Sequence, residues 1–373
     1  MALARTPLET AFLSEPALKI LRAPTPLRLM AARGLAPLQR PADLACVVYQ
    51  LAFDSDATVA SAAGKTAAEL PEKVILGALG DPTVDPRVLD FFSEKVPPAG
   101  QRIQAILLNR ATADDTIQQL ASRLGENELE IVAQNEQRLL AAPAIIAALY
   151  LNRNARMSTV SRVVELAVRN QVAVPQIPCW EELAATVLGS RGGVTSDPAT
   201  DDASFAAVAV VAIGESQESE QKAQVLLEEN TPAEVVEKST KQIPIDKLSI
   251  PAKIRLATLG NSFARSILIR DSNKQVALAV IRSPAMTDNE VVKYSANRGL
   301  CDDVIGIISK TKEWTKIYQI KVNLVNNPKC PLPTAMRMIP FLHDRELRNL
   351  AKSKGVPSAL AAVARKLVAQ KRQ

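Results

Sequence analysis

The sequence predicts an all-α protein assembled from short amphipathic helices, and three observations carry that prediction. Hydrophobic residues make up 47% of the 373, dominated by Ala and Leu, which lose little side-chain entropy in a helix. Aromatic residues amount to only 3% and glycines number 14, too few for a sandwich, a barrel or a glycine-rich nucleotide fold. Apolar positions recur at helical spacing between residues that start and stop helices.

The elements follow from those signals in chain order. Asp85-Pro86 opens a segment carrying Val88 and Leu89. Thr112 with Asp115 precedes Ile117, Leu120, Ala121 and Leu124, which share one helical face. Glu181-Glu182 and Asp302-Asp303 sit where acids favour a helix N-terminus. Phe205–Ile213 reads as a short docked helix or strand, and Gln217–Glu229 as a solvated acidic helix. Thr231-Pro232-Ala233-Glu234 and Thr287-Asp288-Asn289-Glu290 both read as capping boxes. Pro357 starts a last helix whose stripe is Leu360, Val363, Ala364, Leu367 and Val368.

The turns between these helices recur. Leu79-Gly80-Asp81-Pro82, Leu108-Asn109-Arg110, Leu151-Asn152-Arg153, Ile281-Arg282-Ser283-Pro284 and Val325-Asn326-Asn327-Pro328 each close an apolar stretch. Their markers at 82, 110, 153, 284 and 328 are separated by 28, 43, 131 and 44 residues. Overlaying Pro284 on Pro328 matches Val276 with Ile320 and Val280 with Leu324. The expectation is a two-helix repeat of about 40–47 residues. On these turns, and on Lys253–Asn261, Leu268–Ala279 and Asp344–Pro357, the chain resembles bacterial α-helical repeat proteins of the HEAT, armadillo or leucine-rich-repeat-variant type. That resemblance implies a right-handed α-solenoid in two blocks and specifies architecture only. The N-terminal cysteine cluster that some leucine-rich-repeat-variant proteins carry is absent, so no iron–sulfur cofactor is implied.

Ser190–Asp202 has the Gly, Ser, Asp and Pro mixture of a linker, which divides the chain into 1–191, an acidic linker over 192–245, and 246–373. Charge divides it as well. Lys241–Gln373 holds 24 Lys and Arg against 9 Asp and Glu, a net of +15, and residues 1–240 carry −9. Between Asp197 and Lys238 ten carboxylates face two lysines, a stretch expected to compete with anionic partners for the basic block.

Chemistry-bearing motifs are few. Ala63-Gly64-Lys65-Thr66 copies the end of a P-loop, but Val59 stands where the first glycine belongs. His343 is the sole histidine, and His343-Asp344 lacks a nearby nucleophile, so the pair reads as a helix entry. Cys46, Cys179, Cys301 and Cys330 are far apart and read as reduced core thiols. Hence no catalytic residue, metal ligand, cofactor or small-molecule substrate is expected. Arg5, Pro7 and Glu9 argue against a signal peptide, and the longest apolar run is nine residues, so a cytoplasmic protein without membrane contact is expected.

The remaining function class is binding. An anionic partner is expected on Arg265, Arg270, Lys274, Lys312, Lys316, Lys321, Arg345, Arg348, Lys352, Lys354, Arg365 and Lys366, with Trp314 and Tyr318 as an aromatic platform one helical turn apart. A protein partner, acidic in character, is the leading expectation: a non-enzymatic scaffold or adaptor presenting an extended surface. Sequence-nonspecific nucleic-acid binding through the basic block is the alternative.

Overall fold

A computed structural model describes residues 5–189, 198–213, 245–353 and 355–370. These residues form twenty-four α-helices and three 3-10 turns, with no strand among them. The expected cap at Thr231, the Gln217–Glu229 helix and most of the acidic stretch lie outside the described residues. The chain divides into two compact units, 1–174 and 175–373.

In the first unit the helices are α1 (Glu15–Leu21), α2 (Thr25–Ala32), α3 (Pro41–Leu51), α4 (Ala57–Glu69), α5 (Glu72–Leu79), α6 (Pro86–Lys95), α7 (Gln101–Leu108), α8 (Asp114–Ala121), α9 (Glu126–Gln134), α10 (Glu136–Ala141), α11 (Pro143–Leu151) and α12 (Met157–Arg169). Their starts obey capping chemistry. Asp56 and Asp85 accept from the backbone N–H of Thr58 and Arg87, and proline occupies the first turn of α2, α3, α6 and α11. The Thr112 hydroxyl instead turns inward and donates to Ile106 O at 2.6 Å, so α8 starts without it. Gly64, Lys65 and Thr66 lie inside α4, where their amides serve the helix and no phosphate loop exists. The α12 stripe of Val160, Val163, Val164 and Ala167 is buried, each valine stabilising by about 1.5–3 kcal/mol.

From α1 to α7 each helix packs on the second one after it, and α8 packs on α11. One layer runs α1, α3, α5, α7, α9 and the other α2, α4, α6, α8, α11. Helices α3, α5 and α7 begin at Pro41, Glu72 and Gln101, and α4, α6 and α8 at Ala57, Pro86 and Asp114, so the stacking interval is close to 30 residues. This corrects the expected 40–47-residue period. The marker pair at 82 and 110 joins two helices of one layer, whereas 110 and 153 close helices of opposite layers.

The second unit contains α13 (Trp180–Gly189), α14 (Pro198–Ala212), α15 (Ile250–Leu259), α16 (Ser262–Leu268), α17 (Lys274–Ile281), α18 (Asp288–Ala296), α19 (Asp302–Lys310), α20 (Lys312–Lys316), α21 (Tyr318–Asn326), α22 (Leu332–Met338), α23 (Asp344–Lys352) and α24 (Ser358–Gln370). Here α15 packs on α17 and α17 on α19, while α18 packs on α21. The overlay of Pro284 on Pro328 therefore matched α17 with α21, which belong to different rows. The capping box at Thr287 and Glu290 is present.

Two helices sit in a different unit from the one their sequence position suggested. Helix α13 packs on α15 and α17: Thr186 donates to Gln275 at 2.6 Å, and Arg282 reaches the buried Glu182 at 2.9 Å. Helix α14 covers α15, with the fully buried Arg255 guanidinium 4.9 Å from the Phe205 ring centroid and Ser249 donating to Asp201 at 2.9 Å. The contacts divide the chain after Val174, and residues 198–212 form a helix packed on α15, over the stretch where a short docked helix or strand was expected.

An asparagine ladder ties successive helices. At the end of α7, the buried Asn109 donates from Nδ2 to Leu79 O and Asp81 O, at 2.7 and 3.0 Å, while its Oδ1 accepts from Ala111 N. At the end of α11, Asn152 donates to Ala121 O and Leu124 O at 2.8 and 3.1 Å. At the end of α21, Asn327 donates to Ser295 O and Asn297 O at 3.0 and 3.2 Å. The last carbonyls of a helix have no partner within it, and here the neighbour in the stack supplies one. That is the physical role of the recurring asparagine turns.

Candidate functional site

The residues expected to share one role divide into three groups. Arg265 is interior. It is 4% exposed, its Nε and Nη2 donate to the two carboxylate oxygens of Glu290 at 2.9 Å, and its Nη1 donates to Gly260 O at 2.7 Å. This removes Arg265 from any surface, because a buried guanidinium needs all its donors satisfied and Glu290, 25 residues away, meets it. Arg270 is half-buried, and desolvation lowers its pKa from the ordinary arginine value. Lys274 is exposed but paired with Asp303 at 2.8 Å; that hydrogen bond raises the lysine pKa and lowers the aspartate's.

The second group is the free surface. Helix α23 turns Leu347 and Leu350 inward, which places Arg345, Arg348 and Lys352 on the opposite face, all exposed. Helix α24, packed against α23, exposes Arg365 and Lys366. Lys312 and Lys316 are exposed on the short α20. Among the described residues none of these seven has an ion pair. Lys354 lies outside the described residues.

The third group is aromatic, and it corrects the expected platform. Trp314 and Tyr318 are not on one helix: Ile317 is extended between α20 and α21, with φ −69° and ψ 121°. Trp314 is half-buried. The Tyr318 hydroxyl accepts from His343 N at 2.9 Å and donates to Glu346 at 3.2 Å, and its ring lies 4.3 Å from the His343 imidazole. Tyr318 therefore locks the entry of α23 onto α21. The aromatic residue exposed near these cations is Phe341, 66% exposed, with the Lys321 ammonium 5.5 Å from its ring centroid. Sequence reasoning missed Phe341 because nothing in Ile339-Pro340-Phe341 marks a side chain left outside the core; only packing decides that.

Interior chemistry offers no competing site. Burial pushes the Cys46 thiol up to about 12 and the Cys330 thiol up to about 11, which leaves both protonated and unreactive at neutral pH. Among the described residues, no three His, Cys, Asp or Glu side chains gather around a common point. No described helix is long and apolar enough to cross a membrane. No protein-family model, curated protein or solved structure matches the chain.

Proposed function

We propose that this protein is a non-enzymatic adaptor, an α-solenoid of helical repeats in two blocks that engages an acidic protein partner through its C-terminal helices. The observation that carries this reading is the face of Arg345, Arg348 and Lys352 on α23 beside Arg365 and Lys366 on α24, cations without carboxylate partners among the described residues. Unpaired cations of one sign on neighbouring helices create a field that steers and selects an anionic ligand. The i to i+2 stacking supports the solenoid reading, since such stacks bury a continuous core and leave a broad face for partners.

Phe341 beside Lys321 favours a second reading, single-stranded nucleic acid, because an exposed ring among cations can stack a base. Capture of partners by the full chain from native cells, with and without nuclease, separates the two. Under the adaptor reading a protein survives nuclease, rebinds after purification, and is lost with Arg345→Gln/Arg348→Gln/Lys352→Gln. Loss of the complex on nuclease treatment, together with oligonucleotide binding that weakens with Phe341→Ala, would transfer the surface to nucleic acid.

A further inference from the structure

The first unit carries a second and chemically different surface. Helix α2 begins its layer: it packs on α4, and among the described residues no helix precedes it there. Its buried positions are Ala31 and Ala32. Met30, turned away from them, is 49% exposed, and Leu27, one turn before Ala31 and at the margin of the buried face, is 54% exposed; the two are three residues apart. The end of α2 extends this exposed surface. Gly34 adopts φ +78°, Gly34 N donates to Ala31 O at 2.9 Å, and Leu35 N donates to Met30 O at 3.1 Å. This is a Schellman closure, which sets the residue after the glycine against the third residue from the helix end, here Leu35 against Met30. Leu35 is 65% exposed. Three large apolar side chains, two on the eight-residue helix and one just beyond its closure, are thus left exposed at this end of the layer.

The rim of this surface is of one sign. Between Ser14 and Arg40 there are five cations and a single carboxylate, Glu15, which pairs with Lys19. Arg28 is taken by Asp54 and Arg40 by Asp81. Arg22 and Arg33 remain exposed, without ion pairs among the described residues. A second copy of the same face would bring like charges together, so symmetry works against self-association. What complements the surface is an apolar stripe with acidic flanks. Leu27 and Met30, at i and i+3, have the spacing at which one helix meets another, and Leu35 adds apolar surface beyond the helix end.

We infer that the outer face of α2 docks an acidic amphipathic helix of a partner protein, with Leu27, Met30 and Leu35 as the apolar anchors and Arg22 and Arg33 reading the acidic flanks. This surface is independent of the cation face on α23 and α24.

The test uses the full chain and a labelled helical peptide of about 20 residues, long enough to hold helix in water. The peptide carries leucines at i, i+3 and i+7 with glutamates on both flanks. One control replaces the glutamates with lysines, and another replaces the leucines with serines. Fluorescence anisotropy is expected to show binding of the acidic peptide alone. Leu27→Ser/Met30→Ser weakens it by about tenfold or more, and Leu35→Ser, in the loop beyond the helix, weakens it severalfold. Arg22→Gln/Arg33→Gln also weakens it, by a factor that shrinks as salt rises. Arg345→Gln/Arg348→Gln/Lys352→Gln leaves it unchanged. Equal binding of the lysine peptide would overturn the inference, as would loss of binding only in the α23 variant. Two further results would reassign the face: a wild-type dimer that Leu27→Ser/Met30→Ser dissociates, or retention on phosphatidylserine vesicles through the same residues.

Discussion

Arginines in the first unit and basic residues in the last helices of the second are the same chemistry put to opposite use. In the first unit many guanidiniums reach a carboxylate on another helix, several of them about one stacking interval away in the chain. Arg5 meets Asp90 at 2.8 Å and Glu94 at 2.6 Å, and Arg138 meets Asp114 at 3.2 Å while donating to Thr112 O. Arg156 pairs with Glu126 and Arg162 with Glu130. On α23 and α24 the cations have no such carboxylate among the described residues. From residue 302 to the end the chain has 14 Lys and Arg and only 5 Asp and Glu, so most cations must face solvent unpaired. The lesson is that a basic residue in a helical stack reports a partner only when the neighbouring helix offers no acid. Net charge alone does not separate tie from surface.

Substitutions can break that contrast, and the largest effect is expected inside the second unit. Arg265→Ala should cost about 3–5 kcal/mol, because it strands the Glu290 carboxylate in the interior. Arg265→Met/Glu290→Gln, which removes both charges and keeps an acceptor for Thr287 N, should recover part of that loss in denaturant titrations. If Arg265→Ala melts like wild type, the pair is not the buried tie described here.

Removing a ladder asparagine comes next. Asn152→Ala leaves Ala121 O without its side-chain donor, while Leu124 O keeps Asn154 Nδ2, and should cost about 1–3 kcal/mol. Asn152→Asp should fare no better, since a carboxylate cannot donate to those carbonyls. A rescue by Asp would show that shape, not the amide, matters at this position.

A smaller, pH-dependent effect sharpens the picture of the ties. The hydrogen bond from Arg5 holds the Glu94 carboxyl below the usual glutamate range. A carboxyl with a lowered folded-state pKa adds stability above its unfolded value, near 4.3, and that contribution disappears as pH falls through the folded value. Glu94 is half-exposed, so solvent screens the contribution, which stays under about 1 kcal/mol. Arg5→Gln should therefore destabilise at pH 7, and its difference from wild type should shrink as pH falls through the folded value of Glu94. A difference between the two proteins that persists unchanged into acid would exclude this linkage.

The smallest effect is expected on the cation face. Arg345→Gln/Arg348→Gln/Lys352→Gln should change stability by no more than about 0.5 kcal/mol, because these side chains hold nothing together. Destabilisation beyond that range would mean they are structural ties of the first-unit kind.

Much of the local structure was legible in the residues themselves. Helix starts at Asp85-Pro86, Thr287 and Pro357, the acids at 181–182 and 302–303, and the helical setting of Ala63–Thr66 follow from capping and sterics within a few residues. The asparagine turns were legible as markers too. Their phase was not: asparagines close helices of both layers, so a local motif cannot say whether the next copy stands one interval away or one and a half. Arg265 and Phe341 were likewise out of reach. An arginine at helical spacing looks the same whether its carboxylate lies 25 residues off or nowhere, and a phenylalanine beside Ile339 and Leu342 looks the same whether the core has room for it.

What the amino-acid sequence determined by itself was the all-helical class, the positions of most helix ends and the excess of positive charge beyond residue 240, because each depends on neighbours close in the chain or on simple counting. What only the tertiary structure decided was which helices pair, that α13 and α14 belong to the second unit, and which cations stay exposed. Those are set by contacts between residues 25 to 100 positions apart, among them Arg265 with Glu290 and Arg282 with Glu182. The energy of such a contact exists only once packing has excluded water and brought both partners to one place.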